Sequence, residues 1–268
     1  MLTPAIPIKE AKMDRRIGAQ FYTLRDYIQN IEDFDTTCKK VAEMGYQIIQ
    51  ISGTPLPAKE MREVIDQYGL KTVVTHRGFP DFVKDVDEII EYNQILGSEF
   101  CGVGSMPFEY TKSQEALEEF IEKANQAAEK IQEAGMTFAY HNHAFEFIKW
   151  NGRTIMERLI EGLDAEKVSF IVDTYWLQYG GVNPAAFIRR LGKRAAVLHF
   201  KDYAMVPGEF QKQTMAEVGQ GNLDWDDIFA ACEEAGAKWA LVEQDVCAGS
   251  PFDSMKLSYD FLKAKGFC

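Results

Sequence analysis

The stretch AEMGYQIIQI, residues 42–51, joins the end of an amphipathic segment to a β-branched run through a single glycine, Gly45. Glycine is favoured just past a helix end, where the left-handed backbone costs it little, so the stretch reads as a helix-to-strand junction. The same junction recurs at DQYGLKTVV (66–74, Gly69), QILGSEFCGV (94–103, Gly97), QEAGMTFAY (132–140, Gly135), IEGLDAEKVSFIV (160–172, Gly162), RLGKRAAVLHF (190–200, Gly192) and EEAGAKWALV (233–242, Gly236). Between junctions the spacing is helical: Leu117, Phe120, Ile121, Ala124, Ala128 and Ile131 share one face of a segment that Ser113 can N-cap. IGAQFYTL (17–24), QIIQIS, KTVVTH, FCGVG, TFAYHNH, SFIVDT, AVLHFK and ALVEQD (240–245) are short and bounded by turn residues, as buried parallel strands are. Each of these eight strands is followed by a helical segment, the last being FDSMKLSYDFLKAKG (252–266). Eight βα units of about 33 residues predict an α/β fold, one (β/α)8 TIM barrel over residues 1–268 with 1–15 as an N-terminal extension. A doubly wound sheet would more naturally carry a Gly-rich phosphate loop after its first strand, and FYTLRDYIQN (21–30) has none.

The chain has 29 Lys+Arg against 41 Asp+Glu, a net charge of −12, and no basic run, which argues against a duplex nucleic-acid partner. No stretch approaches the about 18 consecutive apolar residues of a membrane helix, so no membrane partner is expected. The opening MLTPAIPIKEAKMDRR lacks the apolar core of a signal peptide, and a cytoplasmic protein is expected. Five cysteines, Cys38, Cys101, Cys232, Cys247 and Cys268, form no CxxC pair and read as plain thiols.

In a TIM barrel the chemistry sits at the C-terminal strand ends, where the polar residues of this chain gather. Strand 5 runs into Tyr140-His141-Asn142-His143 and on to Glu146, strand 6 into Asp173-Thr174-Tyr175-Trp176, strand 7 into His199-Phe200-Lys201-Asp202 and strand 8 into Glu243-Gln244-Asp245. All four histidines, His76, His141, His143 and His199, fall at such ends. Imidazole and carboxylates converging from neighbouring strands suit one catalytic divalent ion, Mn2+ first, with Mg2+, Co2+ or Zn2+ as alternatives. The competing reading is a network of rim salt bridges.

YHNHAFEF, DTYW, HFKD, VGQGNLDW and VEQD, in that order after IGAQFYTLRD, resemble the xylose isomerase-like TIM-barrel superfamily, the sugar phosphate isomerase/epimerase group. The resemblance implies a metal held by Glu146, Asp173, His199 and Glu243, with His141 as the alternative strand-5 ligand. YHNH followed by EF is similar to a branch of inosose-dehydratase-like proteins and metal subunits of C-glycoside-cleaving enzymes. The superfamily resemblance implies a sugar isomerase or epimerase that takes a proton from beside the carbonyl of a keto-sugar or polyol through a metal-stabilised enediolate. A lyase acting by β-elimination on a 3-keto-glycoside, or a sugar-binding barrel without turnover, is the alternative. A homo-oligomer or a small accessory subunit at the barrel mouth belongs to the same expectation.

Proton transfer needs a base near neutral pKa, and His143, with Lys201 and Glu146 beside it, is the first choice. Gln20, His76 and His141 are expected to bind hydroxyls, and Phe21, Tyr22 and Trp176 to stack on a sugar ring. The loop after strand 7 has one Lys and no Arg, and strand 8 ends in Glu243 and Asp245, so an uncharged keto-sugar is expected over a sugar phosphate. Gly219 and Gly221 allow either close backbone approach to a ligand or a plain turn.

Overall fold

The structure, a computed structural model, describes residues 13–208 and 211–268. The eight barrel strands are β1 (Ile17–Gln20), β2 (Ile48–Ile51), β3 (Lys71–Arg77), β4 (Phe100–Val103), β5 (Thr137–His141), β6 (Val168–Asp173), β7 (Val197–Phe200) and β8 (Trp239–Val242). They close in sequence order, every pair parallel, and β8 returns to β1 with Gly18 opposite Leu241. The closed (β/α)8 barrel expected from the junctions is therefore present. The helices are α1 (Ile31–Met44), α2 (Ala58–Gln67), α3 (Phe79–Lys84), α4 (Val86–Leu96), α5 (Gln114–Glu133), α6 (Ile155–Gly162), α7 (Thr174–Tyr179), α8 (Pro184–Leu191), α9 (Trp225–Ala235) and α10 (Pro251–Ala264). The short α3 and α7 are additions to the eight expected. No helix among the described residues is long and apolar enough to cross a membrane.

Local chemistry accounts for the boundaries. Ser113 caps α5 by accepting from the Ala116 amide, and Gly45 ends α1 in the left-handed region, donating back to Ala42 and Val41. Six of the seven junction glycines have positive φ; Gly162 does not, and is small for another reason, because a Cβ there would lie 2.9 Å from Ile121. The first strand is shorter than expected. It stops at Gln20, whose side-chain oxygen accepts from the Tyr22 amide and starts a 3-10 helix over Phe21–Tyr27. That change of period turns Phe21 into the core against Phe34, so it is not the sugar-stacking residue expected. Residues 1–12 of the expected extension lie outside the described residues; Met13 is buried and Asp14 donates its amide to Lys238 O beneath the barrel.

Strand alternation layers the barrel interior. Ala139, Ile171, Val197 and Leu241 form part of a buried apolar cluster. Two residues further along the same strands, on the same face, come His141, Asp173, His199 and Glu243. The apolar floor and the polar layer above it thus follow from one register.

The chain leaves the barrel after β7 in an antiparallel ribbon pairing Asp202–Val206 with Lys212–Ala216. Asp202, fully buried, anchors the segment that follows: its carboxylate accepts from the amides of Tyr203 (2.7 Å), Gly219 (2.9 Å), Gly221 (3.1 Å) and Leu223 (3.3 Å) and from the Trp225 indole N–H (2.7 Å). A Cβ on Gly221 would strike that carboxylate. The close approach that the VGQGNLDW glycines allow is therefore to an internal anion.

Candidate metal centre

Four side chains meet at the top of the barrel. His141, Asp173, His199 and Glu243, all buried, each offer one donor atom, and these atoms lie within 4.8 Å of one another. Asp173 divides its oxygens: Oδ1 accepts from the Trp176 amide (2.9 Å) and caps α7, while Oδ2 faces His141 Nε2 at 3.4 Å. His199 Nδ1 lies 2.8 Å from Glu243 Oε2.

The second nitrogen of each imidazole is tied down. His141 Nδ1 lies 2.9 Å from the Gly104 carbonyl oxygen, and His199 Nε2 lies 2.8 Å from Gln50 Oε1. With those oxygens accepting, His141 Nε2 and His199 Nδ1 are the nitrogens that face the cluster, the arrangement that orients imidazole metal ligands; burial opposes a charge on His141, but Asp173 outweighs it and favours a proton on Nε2 in the metal-free protein. With its ring proton on Nε2, His199 Nδ1 donates nothing to Glu243 Oε2 and has no donor of its own, while Glu243 Oε2 has the Lys201 ammonium at 3.1 Å. Two acceptors aimed at one point call for a cation between them. Charge gives the same answer: the carboxylates of Asp173, Glu243 and Asp245 surround one ammonium, Lys201, leaving two negative charges for a divalent ion to balance. The residues therefore fit a divalent cation.

Glu146 is not among the four. It sits in a 3-10 turn (Phe145–Phe147), fully buried, and accepts from Tyr140 Oη (2.7 Å) and the His143 amide (2.8 Å). The strand-5 place in the cluster belongs to His141, whose inward position follows from Ala139 by simple alternation. Burial pushes the Glu146 carboxyl up to about 7 from an ordinary 4.5. Its protonated form is therefore favoured on folding, and the stability this brings is full below about pH 4.5 and lost as pH rises through 7. Metal-free protein is expected to lose about 3 kcal/mol of stability from this group between pH 4.5 and 8, and Glu146→Gln to flatten the difference. Urea denaturation at pH 5 and 8 checks it; an equal slope in the variant would remove Glu146 as the source.

The remaining expected residues divide clearly. Tyr22, His76, His141, His143, Trp176, Lys201 and Glu243 all line one cleft of about 590 Å3, together with Asp245 at the strand-8 end and with Arg25, Ser52, Arg77 and Ser105, which carry no sequence signal of their own. Arg25 covers a face of the Tyr22 ring at 4.7 Å, which takes that face from a sugar. Of the buried side-chain nitrogen and oxygen atoms among the described residues that lack a hydrogen-bond partner, six without a counter-charge gather at this end of the barrel: Gln20 Nε2, His76 Nε2, Asn142 Nδ2, His143 Nδ1, Trp176 Nε1 and His199 Nδ1. Buried polar groups are normally satisfied, so such a concentration marks where a polar ligand belongs.

Electrostatics sharpen the roles. Burial, with His141 nearby, drops His143 to about 3, so its imidazole is neutral with a free lone pair, at the expense of the near-neutral basicity expected of it. His76 is likewise pushed well below the usual histidine range by burial between His141 and His199. Burial opposes the charge on Lys201, but Asp173, Glu243 and Asp245 outweigh it and raise its pKa. Burial and then Glu243 push Asp245 up to about 6.

Comparison with known proteins agrees with this architecture. A family model described as xylose isomerase-like TIM barrel matches residues 38–265, and the chain belongs to that family. An inosose dehydratase from Geobacillus kaustophilus is 24% identical, the match covering 92% of this chain and 93% of that one. A sugar phosphate isomerase/epimerase from Parabacteroides distasonis superposes with a TM-score of 0.79 at 22% identity, covering 98% of each chain. A probable 3-DHS dehydratase of Bacillus anthracis superposes with a TM-score of 0.71 at 12% identity, covering 92% of this chain and 98% of that one.

Proposed function

We propose that the chain is a divalent-metal-dependent lyase that removes water, or another β-leaving group, from a keto-cyclitol or keto-sugar. The observation that carries this reading is the cluster itself, with His141 on β5 where a second glutamate would be needed to flank the substrate. Epimerisation requires proton removal on one face and delivery on the other, whereas elimination needs one acceptor and a donor to the leaving group. With Glu243 the one glutamate in the cluster, the second demand is the easier to meet. Similarity to an inosose dehydratase over nearly the whole chain supports the same choice.

Bound in the cluster, a divalent cation would supply Lewis acidity that makes a C–H beside a carbonyl removable. Two imidazoles with two carboxylates favour Mn2+, Co2+ or Zn2+ over Mg2+, and we propose Mn2+. The protein supplies the rest. The neutral His143 imidazole accepts the α-proton, the electron pair closes a C=C bond as the C–O bond to the β-hydroxyl breaks, and the imidazolium so formed, made acidic by its burial, returns the proton to that oxygen, which leaves as water. Unpartnered Trp176 Nε1, which lines the cleft, donates to a substrate hydroxyl, and the buried floor, to which the fully buried Gln20 belongs, excludes bulk water.

Incubating the Mn2+-loaded protein in D2O with a panel of keto-cyclitols and ketoses tests the reading. Deuterium at the α-carbon of recovered substrate, together with appearance of a dehydrated, unsaturated product, is expected. Exchange with a changed stereocentre and no water loss would establish epimerisation, and no exchange with any of them would leave a binding barrel. His143→Gln is expected to keep its ion and melting temperature while losing on the order of 10²-fold in turnover; loss of the ion instead would place His143 among the ligands.

A further inference from the structure

Among the described residues Lys201 is the one buried lysine, 1% exposed, on the inward face of the chain two residues beyond His199. Its backbone is clamped on both sides by Thr174, whose hydroxyl accepts from the Lys201 amide (3.1 Å) and donates to its carbonyl (2.8 Å). The ammonium has three hydrogens and meets three carboxylates: Asp173 Oδ2 at 2.9 Å, Glu243 Oε2 at 3.1 Å and both oxygens of Asp245 at 3.1 Å. Asp173 Oδ2 and Glu243 Oε2 are also the oxygens that face His141 Nε2 and His199 Nδ1. The ammonium and an ion held by the four donors therefore claim the same two atoms. Asp245 belongs to the lysine alone.

We infer that Lys201 is the resident cation of the metal-free cluster, holding Asp173 and Glu243 together before the ion arrives and opposing the ion for those two oxygens afterwards. This rests on the reading of the four residues as a metal centre. The physical reason is that buried carboxylates with no counter-charge repel one another and lose their water, so an unloaded centre without the lysine would open. The same positive charge, fixed by Thr174 and Asp245, weakens the site for a second cation. The ligands stay pre-organised when empty, and the ion remains exchangeable. A lysine that merely aimed the carboxylates would have the opposite effect on affinity, since its removal would loosen the ligands and weaken the ion.

The test is Lys201→Met, with Lys201→Gln as a second neutral variant that keeps a hydrogen-bond donor, each purified with Mn2+ present. Mn2+ affinity is read by chelator competition and stability by urea denaturation with and without Mn2+. Both variants should bind Mn2+ at least tenfold more tightly than the wild type, and their urea midpoints should fall in the metal-free state and recover most of the loss on loading. Equal or weaker Mn2+ binding by a folded variant would overturn the inference, as would a stability loss that Mn2+ leaves untouched. Failure of both variants to fold with Mn2+ present would also overturn it, because the ion is inferred to take the ammonium's place. Absence of Mn2+ binding by the wild type would instead overturn the metal-centre reading, and the inference with it.

Discussion

Alanine at any one of His141, Asp173, His199 or Glu243 is expected to leave less than about a tenth of the wild-type Mn2+ content and to lower turnover by on the order of 10³-fold or more, the several kcal/mol that a Lewis acid contributes. Four donors within 4.8 Å leave no spare ligand, so each loss should be felt in full. Glu146→Ala is the internal control: its carboxylate faces Tyr140 and the His143 amide, so the ion should stay while the turn carrying His143 loosens. Metal analysis after purification without chelator, alongside circular dichroism to confirm folding, decides it. Full ion content in the His141 variant would return the strand-5 role to another residue.

Asp202→Ala should be the most destabilising single change outside that cluster, by about 3–5 kcal/mol. Five N–H donors converge on its carboxylate from Tyr203, Gly219, Gly221, Leu223 and Trp225, and removal leaves them facing a dry cavity. Ion content should be unchanged, since Asp202 points away from the donors. A urea-derived loss below about 1 kcal/mol would mean that the segment repacks or admits water.

The barrel was legible because its signals are local: glycine at a helix end and β-branched runs of four or five residues report on themselves. Three of the four cluster residues were legible for the same reason, standing directly at strand ends. His141 against Glu146 was decided by alternation, which holds through β5 and lapses in the 3-10 turn where Glu146 lies; counting in twos from Ala139 would have found it. The same count from Ile48 reaches Gln50, the partner of His199, and from Glu243 it reaches Asp245. Phe21 was misplaced because the first strand gives way to a 3-10 helix at a residue with no distinctive side chain. The Asp202 cage had no signal at all, since its donors lie up to 23 residues downstream and most are backbone amides.

The cleft is divided between two halves of the barrel. Every cluster donor comes from the C-terminal ends of β5 to β8, while Tyr22, Arg25, Ser52, Arg77 and Ser105 come from the end of β3 and the segments after β1, β2 and β4. The metal-type donors and most of the side chains that face them across the cleft are thereby written in separate stretches of the gene. Substitutions in the first four loops can therefore reshape the cleft without touching a donor, provided that Gln50 and the Gly104 carbonyl, which steady the two histidines, are kept.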